Sequence, residues 1–234
     1  GLSPWMQKLP GGLIHVNVVG CALFAAISGS SAATVATVGK MSIPELRKRN
    51  YPEKILLGSL AGSGTLGLLI PPSIILIIYG VTVQESIAKL FIAGIIPGIM
   101  IAIIFMLYVI VWSLINKKIM PEFYENFSFL EKVKRSKQLI PVILLILGVI
   151  GSIYTGIATA TEAASLGVVG ALILSYFQKS LSLETFKKSL LGATKTSCMI
   201  AFILAGSSFL SLAMGFTGLP RNLAIWIESM DLSP

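Results

Sequence analysis

An all-α, polytopic membrane protein is what this sequence predicts, on three observations. The composition is 55% hydrophobic with only 12% charged residues, whereas soluble domains carry about a quarter charged residues. The apolar residues are gathered into runs of about 20, the length that crosses a ~30 Å hydrocarbon core as a helix. The basic residues fall between those runs, so the net charge of +8 follows topology and calls for no nucleic-acid partner.

The runs expected as spans are 55–80, 90–115, 138–154, 156–177 and 196–215. Residues 9–39 also lack formal charge, but they are too many for one span and are interrupted at Ser28–Thr34. Val16–Ile27 before the interruption would reach only ~18 Å at 1.5 Å per residue. A re-entrant helical hairpin over 9–39 is therefore expected. Residues 217–230, with Arg221, Glu228 and Trp226 among Leu and Ile, read as an amphipathic interfacial helix. Trp5, Trp112 and Trp226 fall near span ends, where indoles settle.

Lysine and arginine flanking spans favour the cytoplasm. Residues 40–54 carry five basic side chains (Lys40, Arg47, Lys48, Arg49, Lys54), 117–137 carry six and 178–195 carry four. All three are expected as cytoplasmic loops. Two spans between successive basic loops return the chain to the same side each time. Cys21 and Cys198 lie in apolar stretches without a CxxC pattern and read as small core residues. The chain starts at Gly1, stops at Asp231–Pro234 without an obvious terminus, and reads as an internal piece.

Two breaks carry the chemistry. Irregular backbone at membrane depth is tolerated only where protein or a water-filled cavity satisfies its polar groups. In Ser28-Gly-Ser-Ser-Ala-Ala-Thr34 the glycine permits a tight turn, and the hydroxyls sit beside freed carbonyls. In Gly62-Ser-Gly-Thr-Leu-Gly-Leu-Leu-Ile-Pro-Pro-Ser73 the glycines loosen a helix and the prolines stop it in register. Pro71 and Pro72 would suit the first turn of a new half-helix, Ser73–Tyr79. Oxygen-rich helix ends without a carboxylate suit a monovalent hard cation, and half-helix N-termini suit an anionic group. Against this stands the plainer account, in which small residues only pack helices closely.

Glu162 is the one carboxylate within an apolar region, open to a proton-relay role. Thr159-Ala-Thr-Glu162 is also a capping box at the start of the Ala163 helix. His15, the sole histidine, reads as a surface or packing residue. No enzyme is expected: His15 precedes Ser28 on the same arm, and no H-E-x-x-H motif is present.

The run Ser28–Gly39 and the run Gly64–Ser73, with Thr155–Ser165, Ala205-Gly206 and Gly218-Leu-Pro220, resemble the large membrane subunit of tripartite ATP-independent periplasmic (TRAP) transporters. The resemblance covers the whole chain. It implies a sodium-driven elevator of the ion transporter superfamily built from two inverted repeats, with 1–116 in the first repeat, 117–137 a cytoplasmic linker and 138–234 the leading helices of the second. It implies a bacterial inner-membrane location and two partners, a small membrane subunit, separate or fused, and a periplasmic substrate-binding protein. Carried over by position, it implies Na⁺ ligands at Ser28, Ser30, Ser31, Gly62, Gly64 and Thr65, with Thr34 and Ser73 near the substrate. The substrate class is an organic acid, a dicarboxylate or sialic acid. A second hairpin and second half-site would lie beyond Pro234. The nearest rival is a stand-alone sodium/carboxylate carrier of the same superfamily, and a passive channel is the other.

Overall fold

The computed structural model describes residues 2–121 and 128–230, and among them every regular element is helical. Residues 122–127 of the expected linker and the chain end Asp231–Pro234 lie outside the described residues. Contacts divide the chain into two compact units, Gly1–Leu174 and Ser175–Pro234. Among the described residues, four helical stretches are long and apolar enough to cross a membrane: Glu53–Val83, Ile87–Ile115, Ala160–Phe177 and Leu183–Thr217. Most of their large apolar side chains are exposed, including Ile96 at 77%, Phe202 at 82% and Phe216 at 86%. So large an apolar surface belongs in lipid or against other protein. The chain is a multi-pass, all-α membrane protein.

The first unit is built on a helical hairpin. After a short helix α1 (Ser3–Met6), the arms are α2 (His15–Ser28) and α3 (Ser31–Lys48), separated only by Gly29 and Ser30. Gly29 closes α2 in the left-handed region at φ 58°, and its N–H returns to Ala25 O at 3.0 Å, the usual glycine C-cap. Ser30 is extended and caps α3, its Oγ accepting from Ala33 N.

The second arm overturns one expectation. Residues 40–54 are no loop, because α3 runs on to Lys48 and the connection shrinks to 49–52. Val38, Ser42 and Leu46 recur at helical spacing and stay buried while Lys40, Lys48 and Glu45 face outward. A continuing buried stripe keeps the helix going past the first charges. Glu45 pairs with Arg49 at 2.8 Å, and Arg47 reaches Glu53 at 2.6 Å across the turn.

The proline-broken element comprises α4 (Glu53–Gly64), α5 (Leu66–Leu69) and α6 (Ile74–Val83). It is longer at both ends than 55–80. Pro71 and Pro72 are not in a first helical turn as expected; they lie before it, and α6 begins at Ile74 with Ser73 as its extended N-cap. A residue preceding proline is driven toward extended backbone, and Ile70 sits at φ −72°, ψ 122°. The full interruption is therefore residues 70–73.

Helix α7 (Ile87–Ile115) begins at Ser86, whose Oγ accepts from Lys89 N. Within the expected linker, a 3₁₀ turn at Lys117–Ile119 and helix α8 (Phe129–Ser136) are formed. Helix α9 (Ile140–Tyr154) covers 15 residues, ~22 Å at 1.5 Å per residue, which is short of a full crossing. Helix α10 (Ala160–Phe177) begins later than residue 156.

In the second unit, α11 (Leu183–Thr217) replaces the expected loop 178–195 and the span 196–215 with one helix of 35 residues. Ser182 caps it, accepting from Thr185 N at 3.1 Å, and Lys188 pairs with Glu184 four residues before it at 2.6 Å. A capped, ion-paired turn extends the helix out of the apolar zone. Gly218 ends it at φ 68°, and α12 (Leu219–Glu228) follows.

Candidate functional site

The two breaks meet. Ile74 N donates to Gly29 O at 3.3 Å, which ties the start of α6 to the hairpin tip. A Cβ at Gly29 would lie 2.8 Å from Pro72 O, so only glycine permits this approach. On the other side, a Cβ at Gly67 would lie 2.8 Å from Ser30 O and 2.9 Å from Ser31 N. Backbone therefore packs directly on backbone. Gly64 lies against Val35 in the first turns of α3, and its absent Cβ would be 3.7 Å from Ser31 O. Helix α7 supports the break from behind, since Cβ atoms at Gly94 and Gly98 would lie 3.0 Å from Leu69 O and from Ile70 Cγ1.

The hairpin tip carries its own hydroxyl net. Ser28 Oγ and Thr34 Oγ1 are 2.9 Å apart, Thr34 Oγ1 donates to Ser30 O at 2.7 Å, and Ser30 N donates to Ser28 Oγ at 3.3 Å. Thr34 is fully buried; Ser28, Ser30 and Ser31 are half-buried. On the broken helix, Thr65 Oγ1 donates to Gly62 O at 2.6 Å and is exposed, while fully buried Ser73 donates from Oγ to Leu68 O at 2.5 Å. Ser73 thus satisfies a carbonyl that the break releases. Gly62 is half-buried and Gly64 buried.

Ser28, Ser30, Ser31 and Thr34 accordingly form one cluster, with Gly64 and Gly67 against it through backbone and Ser73 next to the residue that bonds the tip. Among the described residues no hydrogen bond joins the tip serines to Gly62, Gly64 or Thr65. The corner presents hydroxyl and carbonyl oxygens, and no group of three or more His, Cys, Asp or Glu gathers anywhere among the described residues.

A family model described as "Tripartite ATP-independent periplasmic transporter, DctM component" matches residues 6–234. The chain belongs to the DctM family. It is 34% identical over 226 residues to a C4-dicarboxylate TRAP transporter large permease protein DctM of Pseudomonas aeruginosa, covering 96% of this chain and 52% of that protein. It is 34% identical to an isethionate TRAP transporter permease protein DctMQ of Oleidesulfovibrio alaskensis, covering 94% of this chain and 34% of that one. A sialic acid TRAP transporter permease protein SiaT of Haemophilus influenzae is 35% identical over 85% of this chain and 32% of its own. The chain spans about half the length of the DctM-named relatives it matches.

Two further residues of the DctM chain resolve. Glu162 is the capping residue of α10: its Oε2 accepts from Thr159 N and Thr159 Oγ1, both at 2.8 Å, and Glu162 N donates to Thr159 Oγ1 at 3.3 Å. Glutamine can make the same reciprocal pair, so Glu162→Gln should retain uptake by the full-length transporter with an unaltered pH profile, and Glu162→Ala should fray the start of α10 in hydrogen exchange. Loss of uptake in the glutamine variant would restore the proton-relay reading. His15 is not at the surface; it is fully buried, with Nε2 2.8 Å from Pro10 O.

Sequence reasoning gave Gly67 only a helix-loosening role and passed over Gly94, Gly98 and Asn17. The i, i+3 pair Gly64 and Gly67 and the i, i+4 pair Gly94 and Gly98 each mark a helix face without side chains, which was the available signal. Asn17 is a lone amide in an apolar half-helix. It is fully buried, and its Nδ2 donates to Leu56 O at 3.3 Å and to Ser59 Oγ at 3.0 Å, fastening α2 to α4.

Proposed function

We propose that the protein serves sodium-coupled uptake of an organic acid, of the dicarboxylate or sialic acid class, as the large membrane subunit of a TRAP transporter in the bacterial inner membrane. Its partners in this reading are a small membrane subunit, separate or fused, and a periplasmic substrate-binding protein. The fused name DctMQ of one relative and the substrates named for the others support that assignment.

The observation that carries the sodium reading is the meeting of the hairpin tip with the proline break in a corner of uncharged oxygens. Na⁺ is a hard cation that takes hydroxyl and carbonyl ligands; a divalent ion would recruit carboxylates. In this reading Ser28, Ser30, Ser31, Gly62, Gly64 and Thr65 supply Na⁺ ligands, by hydroxyl or carbonyl. Thr34 and Ser73 lie toward the substrate and hold the neighbouring backbone. The ion completes what the hydrogen bonds leave open between tip and broken helix. Tip and break then travel as one body in an elevator motion.

The test is uptake by the complete transporter in liposomes with its binding protein, under either a Na⁺ or a proton gradient. Uptake should follow the Na⁺ gradient. Equal uptake without Na⁺ would sink the reading, and uptake without the binding protein would favour a stand-alone carrier. Ser30→Ala and Thr65→Ala should each raise the Na⁺ concentration for half-maximal uptake by about tenfold, since an oxygen bonded to a charged group contributes about 1.5–3 kcal/mol. Loss of folded protein in both variants would return the residues to a packing role.

A further inference from the structure

We propose that α8 and Trp5 form a docking site for the headgroup of an anionic phospholipid at the membrane surface. The proposal rests on the membrane placement of the chain and is independent of sodium coupling. Helix α8 lies in sequence between two strongly apolar helices, α7 ending at Ile115 and α9 beginning at Ile140, and α9 packs on α7. It is thereby held at a membrane edge.

The surface has an apolar and a cationic part. Phe129 and Leu130 are 70% and 79% exposed. Lys134 and, just past the helix end, Lys137 are exposed, and Lys132 is half-buried. Trp5 joins the two parts. Its ring stands edge-on to Phe129 with centroids 6.3 Å apart, Lys132 Nζ lies 5.6 Å over the indole, and the indole N–H donates to Ser136 Oγ at 3.0 Å. An indole, a phenyl ring and a leucine beside ammonium groups fit the acyl–headgroup boundary, where apolar rings enter the lipid and lysines stay among the phosphates.

Glu131, the carboxylate of this helix, is turned to Ser128, whose backbone N donates to Glu131 Oε2 at 3.0 Å. Among the described residues Lys132, Lys134 and Lys137 enter no salt bridge. Three ammonium groups without a salt-bridge partner among the described residues, next to two exposed apolar side chains, complement a phosphodiester with its acyl chains. An acidic protein surface would leave Phe129 and Leu130 uncovered.

The test places p-benzoylphenylalanine at position 129 of the full-length transporter in nanodiscs of phosphatidylcholine with a minor share of phosphatidylglycerol, and identifies the photo-adducts by mass spectrometry. Phosphatidylglycerol adducts should exceed their mole fraction by about fivefold or more, the effect of a single lysine near an anionic surface. Lys132→Gln, Lys134→Gln and Lys137→Gln together should return adducts to the mole fraction. Lys134→Gln alone, at an exposed side chain whose loss leaves folding intact, should lower the enrichment part-way. Adducts in proportion to mole fraction in the parent protein, enrichment unchanged in the lysine variants, or adducts formed with a different polypeptide in place of lipid would each overturn the proposal.

Discussion

Gly67→Ala should lower uptake by the full-length transporter by about tenfold or more, while Gly62→Ala, five residues earlier in the last turn of α4, should leave it nearly unchanged. The contrast comes from what an added methyl meets. At Gly67 it would lie 2.8 Å from both C and O of Ser30 and 2.9 Å from Ser31 N. These are backbone atoms, with no rotamer that moves them away, so the hairpin tip itself must shift. Overpacking of this kind costs about 1–3 kcal/mol, and the displaced atoms belong to the candidate site. At Gly62 the nearest atom is Phe105 Cε1 at 3.7 Å, an ordinary contact, and alanine leaves the Gly62 carbonyl in place. Uptake in liposomes with thermal unfolding of the same samples checks the pair. Equal activity in the two variants would show that the tip does not depend on the backbone contact.

The second large effect is expected at Asn17. Asn17→Asp replaces an amide that donates to Leu56 O and Ser59 Oγ with an acceptor facing a carbonyl, in a fully buried position. An unpaired buried charge costs about 3–5 kcal/mol, enough to release α2 from α4 in a protein of ordinary stability. Asn17→Leu keeps the branched outline of the side chain and removes the donors without adding charge. Ser59 still donates to Leu56 O at 3.1 Å, so this variant should lose only about 1 kcal/mol. Thermal unfolding of the detergent-solubilised transporter measures both. The aspartate variant should recover in part as pH falls, because the protonated carboxyl regains one donor and sheds its charge.

The hairpin was legible because an uncharged stretch of that length, interrupted by Ser28–Thr34, fits neither one span nor two. The broken helix was legible because two consecutive prolines stop a helix wherever they occur. Helix ends were harder. Lys40, Arg47, Lys48, Lys187 and Lys188 read as loop charges, yet α3 and α11 carry them on helix that extends beyond the apolar zone, since charge limits burial and leaves helix formation free. The side-chain clusters at the tip were foreseeable from the hydroxyls. The contact that assembles the tip with the break was not, because it is made by glycines, and glycine spacing reports a bare face without naming what lies on it.

At the meeting of the breaks four helix termini converge: α2 ends at Ser28 and α5 at Leu69, while α3 begins at Ser31 and α6 at Ile74. Two negative and two positive dipole ends in one place make, to first order, a quadrupole. Such a field decays faster with distance than that of a lone terminus and changes sign within a few ångströms, about the size of a hydrated ion. In the proposed reading such a field would favour a cation on one side and an anionic group on the other without raising the net charge of the corner. A site of this kind selects by position within itself and stays nearly silent to charges elsewhere in the membrane.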